Sequence, residues 1–175
     1  MRKIIKILIP ITLICSCKYM PGDMNSSMAS YVNRNYAKMQ ALLTWRIFYE
    51  PERDFWYCRH MYGNDSILAD LTIYVNKNNK VQRYGIRALH ENDTIKTINI
   101  AVQNINTLNE IRCLKNFDNI GTIPIQLDTL PFDYCINVGK DTTHYQILHA
   151  KGHDFTIGKH LSRDWYIRQL SHKEK

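Results

Sequence analysis

Four histidines lie close together near the C-terminal end of the chain: His144, His149, His153 and His160, with Asp154 beside His153. Imidazole is a common metal ligand, and a zinc site needs three or four converging donors. In a strand over Thr143 to Ala150, His144 and His149 differ in parity and face opposite sides. The trio that a hairpin can bring together is therefore His149, His153 and His160. Neither a His-Glu-x-x-His pattern nor a Cys-x-x-Cys pair accompanies them, and histidines hydrogen-bonded or solvated at turns are the plainer reading. A His/Asp group of this kind also suits acid–base chemistry if a cleft holds it. The other carboxylates are thinly spread. Asp128 and Asp133 flank Pro131-Phe132, and Glu50, Glu52 and Asp54 surround Pro51. No catalytic residue is assigned, because no nucleophile elbow, phosphate loop or dinucleotide fingerprint is present. No cofactor is implied.

Aromatic residues form the second group. Phe55-Trp56-Tyr57 and Trp165-Tyr166 place rings on both faces of extended segments. Trp56, Tyr57, Trp165 and Tyr166 are the candidate binding residues. Arg53, Arg59, Arg163 and Arg168 lie nearby, and Arg with Tyr and Trp is the usual interface palette. A sheet covered on both sides, with these rings in its core, is the alternative. Among the thiols, Cys113 and Cys135 are the favoured disulfide pair, closing a loop of about 22 residues worth roughly 3 kcal/mol. Three free, buried cysteines, Cys58 included, are the other possibility.

The first seventeen residues carry a different kind of chemistry. Arg2, Lys3 and Lys6 form a positive first segment, and Ile4, Ile5, Ile7, Leu8, Ile9, Ile11, Leu13 and Ile14 an apolar one interrupted by Pro10 and Thr12, the pattern of a secretory signal peptide. The run is too short for a stable transmembrane anchor. It ends in Ile14-Cys15-Ser16-Cys17, which resembles the lipobox of bacterial lipoproteins: an aliphatic residue, a permissive position, a small residue and a cysteine. The resemblance implies cleavage after Ser16, a diacylglycerol thioether on Cys17 and acylation of the new amino group. Two or three acyl chains hold a protein on a membrane where one does not, at about 0.8 kcal/mol per buried CH₂. The implied location is the cell envelope, with the protein membrane-anchored and facing the periplasm. Inner and outer membrane are both open as destinations. Asp23 is the one acidic residue soon after Cys17, a weak signal for surface export.

The full chain has 23 basic and 16 acidic residues, a net charge of +7. Removing residues 1–16 takes away Arg2, Lys3 and Lys6 and no acid, leaving +4. That charge gives no case for a nucleic-acid partner.

The elements that must position these residues follow from periodicity. Residues 17–25 read as a lipidated tether with a Pro-Gly breaker. Met28, Tyr31, Val32, Tyr36, Met39, Leu42 and Leu43 recur at helical spacing, broken at Asn35, and predict a helix over 26–43. Strands are expected from Ile67 to Val75, Val81 to Leu89 and Thr94 to Val102, the last on its β-branched residues. Later strands are expected over Tyr134 to Val138, Thr143 to Ala150, Asp154 to His160 and Trp165 to Leu170. Residues 103–119 suit a short helix or an irregular turn. Pro124 and Pro131 argue for loop or edge positions. The expectation is one α+β domain over 26–175: an N-terminal helix packed on a curved antiparallel sheet of about six or seven strands. Its expected role is a non-catalytic binding or interaction module anchored through Cys17, with an envelope protein as partner. A small hydrolase using the His/Asp group, and a structural subunit of an envelope complex, are the alternatives.

Overall fold

The computed structural model describes residues 24–62, 66–76, 80–90, 92–125, 130, 132–140, 142–150 and 158–170. Cys17, the signal segment and most of the tether lie outside the described residues, as do Asp128, Pro131, His153 and Asp154.

The expected N-terminal helix is two helices, α1 (Met24–Arg34) and α2 (Tyr36–Ala41), joined at Asn35. The Asn35 N–H and its side-chain amide both donate to Tyr31 O, at 2.9 and 3.0 Å, so the side chain competes for a helix carbonyl. Met28, Tyr31, Val32, Met39 and Leu42 form their buried stripe.

Four strands follow as a meander: β1 (Trp45–Glu50), β2 (Phe55–Tyr62), β3 (Ser66–Val75) and β4 (Val81–Leu89). Thr94 to Val102, expected as a strand, instead opens the long helix α3 (Thr94–Leu114). Asp93 caps it, its side chain accepting from the Lys96 N–H at 2.9 Å. Ile98, Ala101, Ile105, Leu108 and Ile111 then recur every three or four residues and are buried. That stripe outweighs the strand preference of Thr94, Ile95, Thr97 and Ile98.

The remaining strands are β5 (Asn119–Pro124), β6 (Phe132–Lys140), β7 (Thr143–Ala150), β8 (Lys159–Ser162) and β9 (Trp165–Leu170). All join one antiparallel sheet in the order β4-β3-β2-β1-β5-β6-β7-β9-β8. The sheet thus has nine strands rather than six or seven. Pro124 ends an interior strand, paired with Tyr134 at its last position. None of the described helices is long and apolar enough to cross a membrane.

The two halves of the sheet meet at β1 and β5, where Phe48 and Gly121 are the one register pair. Thr122 bridges this seam with its side chain. Its Oγ1 accepts from the Ile47 N–H at 2.8 Å and donates to Trp45 O at 3.0 Å. Tyr134 donates to the same carbonyl at 2.7 Å.

Both sheet edges are blunted. β8 has four residues and packs beside α1. β4 carries an extra residue at Gln82 and another at Arg87, where the register against β3 shifts. Bulges and charge of this kind resist strand addition, so the faces of the sheet are the better candidates for contact.

Candidate functional site

Strand parity divides the sheet into two faces. The helix face carries Trp45, Ile47, Trp56, Cys58, Leu71, Ile73, Tyr134, Ile136, Ile147, Trp165 and Ile167, in one core with α1, α2 and α3. The other, here the open face, has a second, smaller core at its β6–β7–β9 end: Phe132, Cys135, Leu148, Ala150 and Tyr166, with Ile125 and Leu130 packed on it.

Over β1–β4 the open face is different in kind. Register sets Arg46 opposite Arg59, and Arg59 opposite Asp70. The next row holds Gly121, Phe48, Tyr57, Thr72 and Gly85. Beyond it, Phe55 and Tyr74 have ring centroids 5.5 Å apart, and Arg83 pairs with Tyr74. Guanidinium groups lie over these rings: Arg83 is 3.9 Å from the Tyr74 centroid, and Arg59 and Arg87 are 5.3 and 5.8 Å from that of Tyr57. Asp70 is buried, and its Oδ2 accepts from Tyr57 Oη and Arg59 Nη2, both at 2.9 Å. Arg59 Nη2 also donates to Tyr57 Oη. Among the described residues, Arg46, Arg83 and Arg87 have no carboxylate at ion-pair distance, while Arg46, Arg83 and Arg87 are all exposed.

A trough adjoins this patch. It encloses about 340 Å³ and is lined by Asn119, Gly121, Asn137, Gly139, His144 and Leu170, among others. Its glycines let neighbouring side chains pack close against the backbone. A Cβ on Gly139 would stand 2.7 Å from His144 Nδ1, and one on Gly121 would stand 3.2 Å from Phe48 Cβ. A ladder borders it across the strands: Gln146 donates to Asn137 Oδ1 at 3.0 Å, and Arg168 donates to Gln146 Oε1 at 2.8 Å.

The residues singled out from sequence are placed otherwise than expected. Trp56, Tyr57, Trp165 and Tyr166 retain 1, 8, 0 and 0% exposure. Trp56 and Trp165 fill the helix-face core, Tyr166 the second core, and Tyr57 lies under arginine side chains. They therefore form no exposed patch; the arginines above Tyr57 do. Adjacent residues on a strand face opposite ways, and here both ways are covered.

His149 and His160 do not converge. His149 is on the helix face, edge-on to Trp165 with centroids 5.2 Å apart, whereas His160 packs on Tyr166 of the open face. Among the described residues, no three His, Cys, Asp or Glu side chains are grouped to hold a metal ion. His149 does find a carboxylate, with Nδ1 2.7 Å from Asp133 Oδ1. Its Nε2 lies 3.3 Å from the Gln40 amide nitrogen. With Nδ1–H donating to Asp133, Nε2 accepts from Gln40, so both ring nitrogens are committed to joining α2 to the sheet.

No disulfide joins Cys113 and Cys135, and none involves Cys58. Cys113 lies on α3, whereas Cys135 points into the second core on the other side of the sheet. Burial pushes the Cys135 thiol up to about 12 and raises that of Cys58 as well. Neither supplies a thiolate nucleophile near neutral pH.

The arginine row escaped the sequence reading because its members come from three strands. Only register shows that Arg46, Arg59 and Arg83 share a face, and Arg87 joins them through the Tyr57 ring beneath it. No protein-family model, curated protein or solved structure matches the chain.

Proposed function

We propose that the chain is a lipid-anchored protein of the cell envelope, held through Cys17 and facing the periplasm, and that it is a non-catalytic binding module. In this reading residues 26–175 form one α+β unit whose contact surface is the arginine–aromatic part of the open face. The observation that carries it is the set of exposed guanidinium groups laid over Tyr57 and Tyr74. Arginine and tyrosine are enriched where proteins bind one another, and stacked guanidinium groups lose little freedom on contact. The lipobox-like Ile14-Cys15-Ser16-Cys17 supports the anchor.

Metabolic labelling with an alkyne-bearing fatty acid tests the anchor. The wild-type protein is expected to incorporate label and to fractionate with membranes. Cys17→Ser is expected to lose the label and remain as precursor. Full labelling of Cys17→Ser would contradict the assignment.

A further inference from the structure

We infer that the arginine row of the open face receives an acidic, extended segment of a protein partner on the side of the domain away from the membrane. This rests on the proposed lipid-anchored binding module and names what that surface takes. Charge favours an acidic partner. Arg46, Arg83 and Arg87 are exposed and, among the described residues, have no ion-paired carboxylate; of the carboxylates on this part of the face, Asp70 is buried and held by Arg59 and Tyr57, and Glu50, opposite Phe55, is half-buried and at ion-pair distance from none of the three. A planar guanidinium takes a carboxylate in a two-pronged hydrogen-bonded pair, and one already lying on a ring is oriented for it.

The tether limits the reach of the anchor. α1 packs beside β8, at the opposite edge of the sheet from β4. Eight inter-strand spacings separate those edges, about 38 Å along the sheet at about 4.8 Å each. The chain from Cys17 to Met24 extends at most about 25 Å. The anchor therefore holds the β8 edge and the helix side near the bilayer. Arg83 and Arg87 lie at the far edge and on the other face, beyond the span of the tether from the edge it holds, while Arg46 on β1 lies nearer the middle of the sheet. The shape of the face suits an extended chain. The row from Gly85 to Gly121 ends at the trough, so a chain bound along it crosses the guanidinium groups over Tyr57 first and the trough next.

The probe is a fluorescent peptide alternating Glu and Val, with its Gln–Val counterpart as control, titrated into the purified protein. The Glu peptide is expected to bind at least about tenfold more tightly than the Gln peptide. Arg83→Ala/Arg87→Ala is expected to cost about tenfold, and Lys96→Ala/Lys140→Ala, elsewhere on the surface, less than about twofold. Equal affinity for the two peptides overturns the inference. So does stronger retention of the unlipidated mature chain, residues 18–175, on phosphatidylglycerol vesicles than on neutral ones, if Arg83→Ala/Arg87→Ala abolishes it. In that event a membrane is the occupant. Either failure leaves the anchor and the contact surface to be judged separately, by fatty-acid labelling and by cross-linking in cells.

Discussion

Thr122→Val is expected to destabilise the protein by about 2 kcal/mol, the cost of leaving a buried donor without its acceptor. Valine matches threonine in shape, so packing is preserved while the Ile47 N–H loses its partner. Trp45 O keeps one, because Tyr134 still donates to it. The site is sensitive because β1 and β5 share a single register pair there, and Thr122 stands in for the missing ladder. Thr122→Ser keeps the hydroxyl and is expected to lose only about 1 kcal/mol, the burial of one methyl group. Thermal unfolding reads the difference: about 6 °C for valine at this chain length, and about half that for serine. A larger loss for serine than for valine would mean that the methyl group, and not the hydroxyl, holds the seam.

The Tyr57–Arg59–Asp70 cluster gives the second large effect. Asp70→Asn is expected to cost about 2 kcal/mol. That is less than for a fully buried pair, because the Arg59 side chain is 27% exposed. Removing all three polar groups together is a different matter. Arg59 Nε and Asp70 Oδ1 are buried without a hydrogen-bond partner, so the cluster does not recover its full desolvation cost. Tyr57→Phe/Arg59→Met/Asp70→Leu is therefore expected to match or exceed wild-type stability in denaturant titration. The same variant is expected to bind acidic peptide more weakly. A cluster that weakens the fold and strengthens the contact is one kept for binding; a triple variant as unstable as Asp70→Asn would assign it to the fold instead.

Parts of this design are legible in the sequence and parts are not, for physical reasons. The stripe from Met28 to Leu42 reads as helix because each apolar residue faces one core. Its break at Asn35 is visible as a polar residue in the stripe. α3 is obscured because Thr94, Ile95, Thr97 and Ile98 favour strands, while Asn104, Thr107 and Asn109 dilute its buried face. Those polar residues are tolerated through bonds the sequence does not display, such as Thr107 Oγ1 to Gln103 O at 3.0 Å. Asp93 three residues before Lys96 was the available signal for a helix start.

The aromatic pairs illustrate a different limit. Alternation states that Trp56 and Tyr57 face opposite ways; it does not state what covers each side. Covering Tyr166 takes Phe132 and Leu148 of two other strands, and covering Tyr57 takes Arg59 and Arg87. Burial of this kind depends on register between segments distant in sequence. The same holds for His149, whose carboxylate partner is Asp133 across β6, not its sequence neighbours.

The central claim is that the open face over β1–β4 is where the anchored protein meets its partner. A photoreactive phenylalanine analogue at Tyr74, on that face, and another at Gln103, exposed on α3, test it in intact cells with the lipid anchor in place. The account predicts a discrete protein adduct from position 74, cross-linked through a segment rich in Asp or Glu, and none from position 103. An adduct from position 103 with none from position 74 would contradict it.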